Sequence, residues 1–248
     1  MDALTDLLSY TARILPGLAL IAACLLLARG RTDPLLPIGL LVLGFVLIRD
    51  TMTPTGLWRL GTAGYGVWLR LSDDAVVLTV FGVLTLALTA AVLVWAPRLR
   101  ALVVWGRPSA VTLAVGAGGG VLAAAPVLAL TAPVPLAERG GAVALGLLPF
   151  LLWFSMAGNL AEEVLFRGLL QGRLERDVSP LRAALLSAAV FAACHVFLAT
   201  TVTDIGWPLL AFTLYEGLIC ALLRMRHGVV PAALAHGTAV FLLAAGLR

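Results

Sequence analysis

The sequence is built from apolar runs about as long as a membrane is thick, and that constrains its fold more than any other feature. Segments 14–28, 34–48, 75–96, 110–130, 142–160, 181–198, 207–223 and 229–247 each read as a helix. A spanning helix needs about 20 mostly apolar residues. In lipid every backbone N–H and C=O must find an internal partner, which leaves helices or closed barrels. The apolar residues are contiguous rather than alternating, which excludes a barrel. The expected fold class is therefore all-α, a polytopic transmembrane bundle of about eight helices. Composition agrees: 61% of residues are hydrophobic and only 12% charged, with mean hydropathy +1.05. A soluble domain carries roughly 25% charged residues, so a soluble enzyme, a nucleic-acid module and a disordered chain are excluded.

All 17 basic residues are arginine, and the formal net charge is +4. In such a chain the charge reads as loops against anionic lipid, so membrane lipids are expected partners and nucleic acid is not. Arginine-only usage suggests a GC-rich genome. The expected location is a prokaryotic plasma membrane, as an integral protein. The first apolar run shows no small-residue cleavage site and reads as a spanning segment.

Loops after the first, third, fifth and seventh runs hold Arg29, Arg31, Arg98, Arg100, Arg107, Arg173, Arg176, Arg182, Arg224 and Arg226. The other side holds Arg13, Arg49, Arg59, Arg70, Arg139 and Arg248. That bias makes the first set cytoplasmic, with both termini outward. Segment 51–72, with Trp58, Arg59, Tyr65, Trp68 and Arg70, reads as an interfacial segment or a loop. The fifth run continues through Glu162, Glu163 and Arg167 to about residue 174, too long for the bilayer without a tilt or bend. Segment 133–141 is the best break, dividing N-terminal helices without motif (1–141) from a C-terminal unit (142–248). Cys24, Cys194 and Cys220 sit in apolar runs and suggest neither a disulfide framework nor a zinc knuckle.

Ionisable groups inside a membrane are costly, so each is a functional candidate. The apolar runs hold Glu162, Glu163, Arg167, His195, Glu216 and His236, all in the last part of the chain. At a rise of about 1.5 Å per residue, Glu162 lies roughly 16 Å from Arg173 and His195 roughly 20 Å from Arg182. His236 lies roughly 13 Å from His227 and Glu216 roughly 12 Å from Arg224. Those endpoints share one side, so four helices carry polar groups at similar depth, which points to one converging site. Glu163 and Arg167, four apart, can pair on one helix face. Glu162 stays free as a candidate general base. A glutamate with two histidines suits a divalent metal such as zinc, or a metal-free glutamate-activated water with imidazole at the oxyanion. The sequence has no H-E-x-x-H and no G-x-S-x-G, and its aspartates fall in loops or at helix ends. Cys194 adjoins His195, but neighbours on a helix point about 100° apart, which argues against a Cys–His dyad.

Glu162-Glu163-Val164-Leu165-Phe166-Arg167 resembles the E-E-x-x-x-R motif of the CAAX protease and bacteriocin-processing family, intramembrane proteases of the Ras-converting-enzyme type. Phe191-Ala192-Ala193-Cys194-His195 is similar to its F-x-x-x-H motif, and His236 to the start of its H-x-x-x-N/D motif. The resemblance covers roughly 142–247. It implies a catalytic group of Glu162, Glu163, Arg167, His195 and His236. Glu162 would activate water, and His195 and His236 would bind metal with it or stabilise the transition state. Glu163 and Arg167 would hold the site's shape. It also implies a membrane-embedded or lipid-anchored protein or peptide as substrate. Where the family has Asn or Asp, four residues after His236, this chain has Val240. Asn159, three and four residues before the two glutamates, is either an ordinary interhelical hydrogen bonder or the group that supplies the missing polar contact. The rival expectation is a proteolytically silent relative acting as scaffold, immunity protein or ion-coupled transporter.

Overall fold

The computed structural model describes residues 3–28, 33–52 and 56–246. Helices form in all eight expected segments: α1 (Ala3–Leu27), α2 (Leu35–Met52), α3 (Ala75–Trp95), α4 (Ala110–Thr131), α5 (Leu148–Glu163), α6 (Pro180–Ala193), α7 (Trp207–His227) and α8 (Val229–Ala244). Five described helical stretches are long and apolar enough to cross a membrane: Ala75–Trp95, Ala110–Thr131, Leu145–Leu174, Pro180–Val202 and Trp207–His227. The protein is an integral membrane protein. Helix starts follow local chemistry. Asp74 caps α3 by accepting from Val76 and Val77 N–H, and Ser109 caps α4 by accepting from Thr112 N–H. Proline stands in the first turn of α5, α6 and α7, where the missing N–H is not needed.

Most of segment 51–72, where it is described, is a β-hairpin rather than a loop. Trp58–Ala63 (β1) pairs antiparallel with Gly66–Leu71 (β2), closed by Gly64–Tyr65 with Gly64 at φ +59°. Glycine in the first turn position is the II′ hairpin pattern. Buried Arg70 ties this hairpin to the bundle, donating to the carbonyls of Leu243 (2.9 Å) and Gly141 (3.1 Å). Arg139 is also buried and donates to Val134 O. With Arg49 buried as well, three of the six arginines assigned to the outer side are internal fixings rather than loop charges. Arg29, Arg31 and Arg248 lie outside the described residues.

The N-terminal helices share a core with the C-terminal ones. Ala123, Ala124 and Val127 of α4 pack with Leu198, Leu209 and Ala239. Close approach of α4 and α8 rests on small residues: a Cβ at Gly120 would meet Ala235 O and Thr238 Cβ at 2.5 Å. Gly120→Ala should therefore lower stability by about 1–3 kcal/mol through overpacking. Gly118→Ala, where nothing lies within 4 Å, should be neutral or gain up to about 1 kcal/mol. Thermal unfolding of both variants in detergent checks this.

Candidate active site

The long fifth element bends its hydrogen bonding rather than its axis alone. α5 ends at Glu163, and Val164–Gln171 continue as a π-helix. Such stretches are rare and favour functional sites because they loosen one turn. Here the wider turn is satisfied from outside: Ser187 Oγ donates to Phe166 O at 2.9 Å. The π-helix also sends two side chains towards α7. Arg167 donates to Gly217 O (3.0 Å) and Gln171 to Ala221 O (3.2 Å). A Cβ at Gly217 would crowd the Phe191 ring at 3.1 Å and the Arg167 guanidinium at 3.2 Å.

Glu163 and Arg167 are fully buried and pair at 3.2 Å, as their spacing predicts. The second Glu163 oxygen takes His236 Nδ1 at 2.9 Å. The guanidinium lies 4.4 Å over the Phe191 ring. That ring also contacts His195 (4.7 Å) and His236 (5.6 Å, edge-on). The two glutamates thus part company: Glu163 is locked inside, while Glu162 faces a cavity of about 520 Å³. His195, Glu216 and His236 line the same cavity, with Asn159 and Val240. Thr238 packs against α4 on the other side.

Both histidines are oriented through Nδ1. At His195 the helix tightens: its N–H turns to Ala192 O (2.9 Å), so Phe191 O is open to the imidazole Nδ1 at 2.8 Å. A carbonyl can only accept, so Nδ1 carries the proton and Nε2 presents a lone pair. His236 Nδ1 rests on Glu163, and its Nε2 faces Glu216 at 3.5 Å. A histidine whose Nδ1 is anchored to a carbonyl or carboxylate is the usual arrangement of a metal-ligating imidazole. Glu162, His195 and His236 offer donor types that ligate divalent cations, but among the described residues they do not form a group of donors within 4.8 Å of one another. The donors drawn within 4.8 Å of one another are a different set, Glu163, Cys220 and His236, which could hold a metal. There an ion would have to displace the Glu163–His236 bond and lie beside the Arg167 guanidinium.

Arg49 and Asp50 were not expected at the site. The apolar run ends at Ile48, but α2 continues to Met52 and buries both side chains. Arg49 lines the cavity, pairs with Asp50 at 2.6 Å and donates to Cys194 O at 2.6 Å. The signal was present in the sequence as an Arg-Asp dipeptide at the end of an apolar helix.

Residues 144–242 match the model of a family described as Rce1-like, type II CAAX prenyl endopeptidase Rce1-like. That match spans all three motifs. The C-terminal region is similar to the Rce1-like family. No curated protein and no solved structure matches the chain. The Rce1-like family is described as one of endopeptidases. α1–α4 lie outside the matched residues, yet α2 and α3 wall the same cavity through Phe45, Arg49 and Leu88.

Breaking a buried ion pair from one side costs about 3–5 kcal/mol. Glu163→Gln removes the partner of Arg167 and the anchor of His236, so its melting temperature should fall sharply. Glu162→Gln, facing the cavity, should melt near wild type. Equal losses would refute the separation of the two glutamates.

Proposed function

We propose that the protein is a prokaryotic plasma-membrane endopeptidase that cleaves a membrane-embedded or lipid-anchored protein or peptide inside this cavity. Residues 142–248 form the protease unit, and 1–141 complete its wall. The observation that carries the reading is the pair of histidines, each held through Nδ1, facing one cavity with an uncommitted glutamate.

In this reading Glu162 takes a proton from water, and the water oxygen adds to the scissile carbonyl carbon. The C=O electron pair moves to oxygen. The C–N bond then breaks, and Glu162 returns the proton to the leaving amine. His195 Nε2, a lone-pair nitrogen, accepts from the attacking water and orients it. His236, with a carboxylate facing each nitrogen, is arranged to donate to the developing oxyanion. Glu163 and Arg167 are positioning residues. A divalent metal held by Glu162, His195 and His236 would polarise the water and the carbonyl when bound.

Glu162→Gln should abolish cleavage while the protein stays folded. Comparing peptide termini in membranes and medium of cells making wild type or Glu162→Gln should reveal products unique to wild type. Exhaustive chelation separates the two chemistries: lost activity restored by zinc supports the metal, and retained activity the metal-free glutamate–water pair.

Val240 gives the rival reading its one specific observation, since an apolar group lines the cavity one turn beyond His236. Asn159 lines the same cavity, with its amide Nδ2 donating to Ser155 O at 2.7 Å. A lost oxyanion donor costs roughly 10²–10³ in turnover. Asn159→Ala should lower cleavage by about that factor, and adding Val240→Asn should restore part of it. A wild type that cleaves nothing beside an active Val240→Asn would identify a silent relative instead.

A further inference from the structure

The Arg49–Asp50 pair lies outside the family-matched residues and has no part in the mechanism above. A buried arginine in an apolar helix is costly, so its contacts should say what it is for. Its guanidinium reaches across from α2 to the carbonyl of Cys194, 145 residues away in sequence. Asp50 holds the same guanidinium from its own helix, and the Phe45 ring lies 5.0 Å beneath it.

The Cys194 carbonyl belongs to the peptide group whose N–H is that of His195. Arg49 fixes the oxygen end of that peptide, and Ala192 O fixes the N–H end. This is the turn in which α6 departs from regular geometry. A regular α-helix would send the His195 N–H to Phe191 O, four residues back. That carbonyl is instead the acceptor for the His195 imidazole. A carbonyl can accept twice, but with the His195 N–H drawn to Ala192 O the Phe191 carbonyl is left to the imidazole alone, and the tilt of the 194–195 peptide sets this arrangement.

We infer that Arg49 is a positioning residue for His195: by holding the Cys194 carbonyl it keeps the turn tightened, reserves Phe191 O for imidazole Nδ1, and so leaves Nε2 as the lone-pair nitrogen facing the cavity. This rests on the proposed role of His195, but the geometric part does not depend on proteolysis. Asp50 neutralises and aims the guanidinium. Without the pair the turn rewinds, the Nδ1 anchor is lost and the imidazole samples both tautomers.

The chain has three histidines, so the test is direct. Full-length protein labelled with ¹⁵N-histidine is compared with Arg49→Met/Asp50→Asn, which removes both charges together. Arg49→Lys, which keeps a cation and one donor head, serves where the double variant fails to fold. His195→Gln assigns the His195 signals. The expected result is a single Nδ1–H tautomer for His195 in wild type, a tautomer mixture in the double variant, and unchanged His227 and His236 signals. On a cleaved substrate kcat should fall roughly 10²-fold, the scale of a small misplacement of a catalytic group. KM should stay within about twofold, with Arg49→Lys recovering part of kcat. His195 signals unchanged in a folded double variant overturn the inference. So does a loss confined to KM, which would make Arg49 a substrate contact, and so does an unchanged kcat. If wild type cleaves nothing, the proteolytic reading fails by itself, and the His195 spectra still decide the role of Arg49.

Discussion

A single carboxylate, Glu163, receives both a guanidinium and an imidazole in an interior without solvent. Taking these charges out of water costs several kcal/mol per ion, and only close mutual contact offsets it. The helices cannot separate without exposing that cost again. α5 brings the carboxylate, the π-helix after it brings Arg167, and α8 brings His236. Gly217 of α7 accepts from the guanidinium, and Phe191 of α6 lies flat beneath it. Four helices thus meet at one charge cluster whose parts have few alternative partners in lipid. The cavity-facing groups, Glu162 and the Nε2 edges of both histidines, are placed by what stands behind them.

The π-helix makes that cluster possible. Arg167 and Gln171 are four apart, and their acceptors Gly217 and Ala221 are four apart on α7. Two parallel rungs therefore run from side chain to backbone carbonyl, and they fix the helices in rotation as well as in distance. The carbonyl of Phe166, loosened by the wider turn, goes to Ser187 of α6. Polar residues at apolar depth act here as joints between helices, which is where a membrane interior makes a hydrogen bond most selective.

The helices were legible because length and apolarity alone set a spanning element. The site was legible because four ionisable groups shared a depth and three of them sat in ordered motifs. The hairpin was harder to read. Its strands are only six residues long, and Arg59 and Arg70 look like interfacial charges until Arg70 is seen on Leu243 O. A glycine-bearing turn at Gly64–Tyr65 between two short runs with Trp58 and Trp68 was its available signal. Arg49 was missed for a related reason: a run scored for apolarity ends at the first arginine, although a helix carries the residue inside if an acid and a carbonyl await it. The Glu216–His236 contact was half legible, since depth suggested it and only the fold supplies the 3.5 Å.

The cavity has two unlike walls, and this division bears on how water and substrate meet. α5–α8 contribute Glu162, His195, Glu216 and His236, whereas α1–α3 and the hairpin contribute mostly side chains such as Leu25, Phe45, Leu60 and Leu88. Leu88 in this wall is 59% exposed. On the proposed reading, apolar parts of a substrate lie against the first wall and the peptide bond is presented to the second. The family-matched residues alone would leave the polar groups with no opposite wall. They would also lack the guanidinium that holds the turn before His195. On that reading the N-terminal helices complete the site, and Arg49 joins them to the turn before His195.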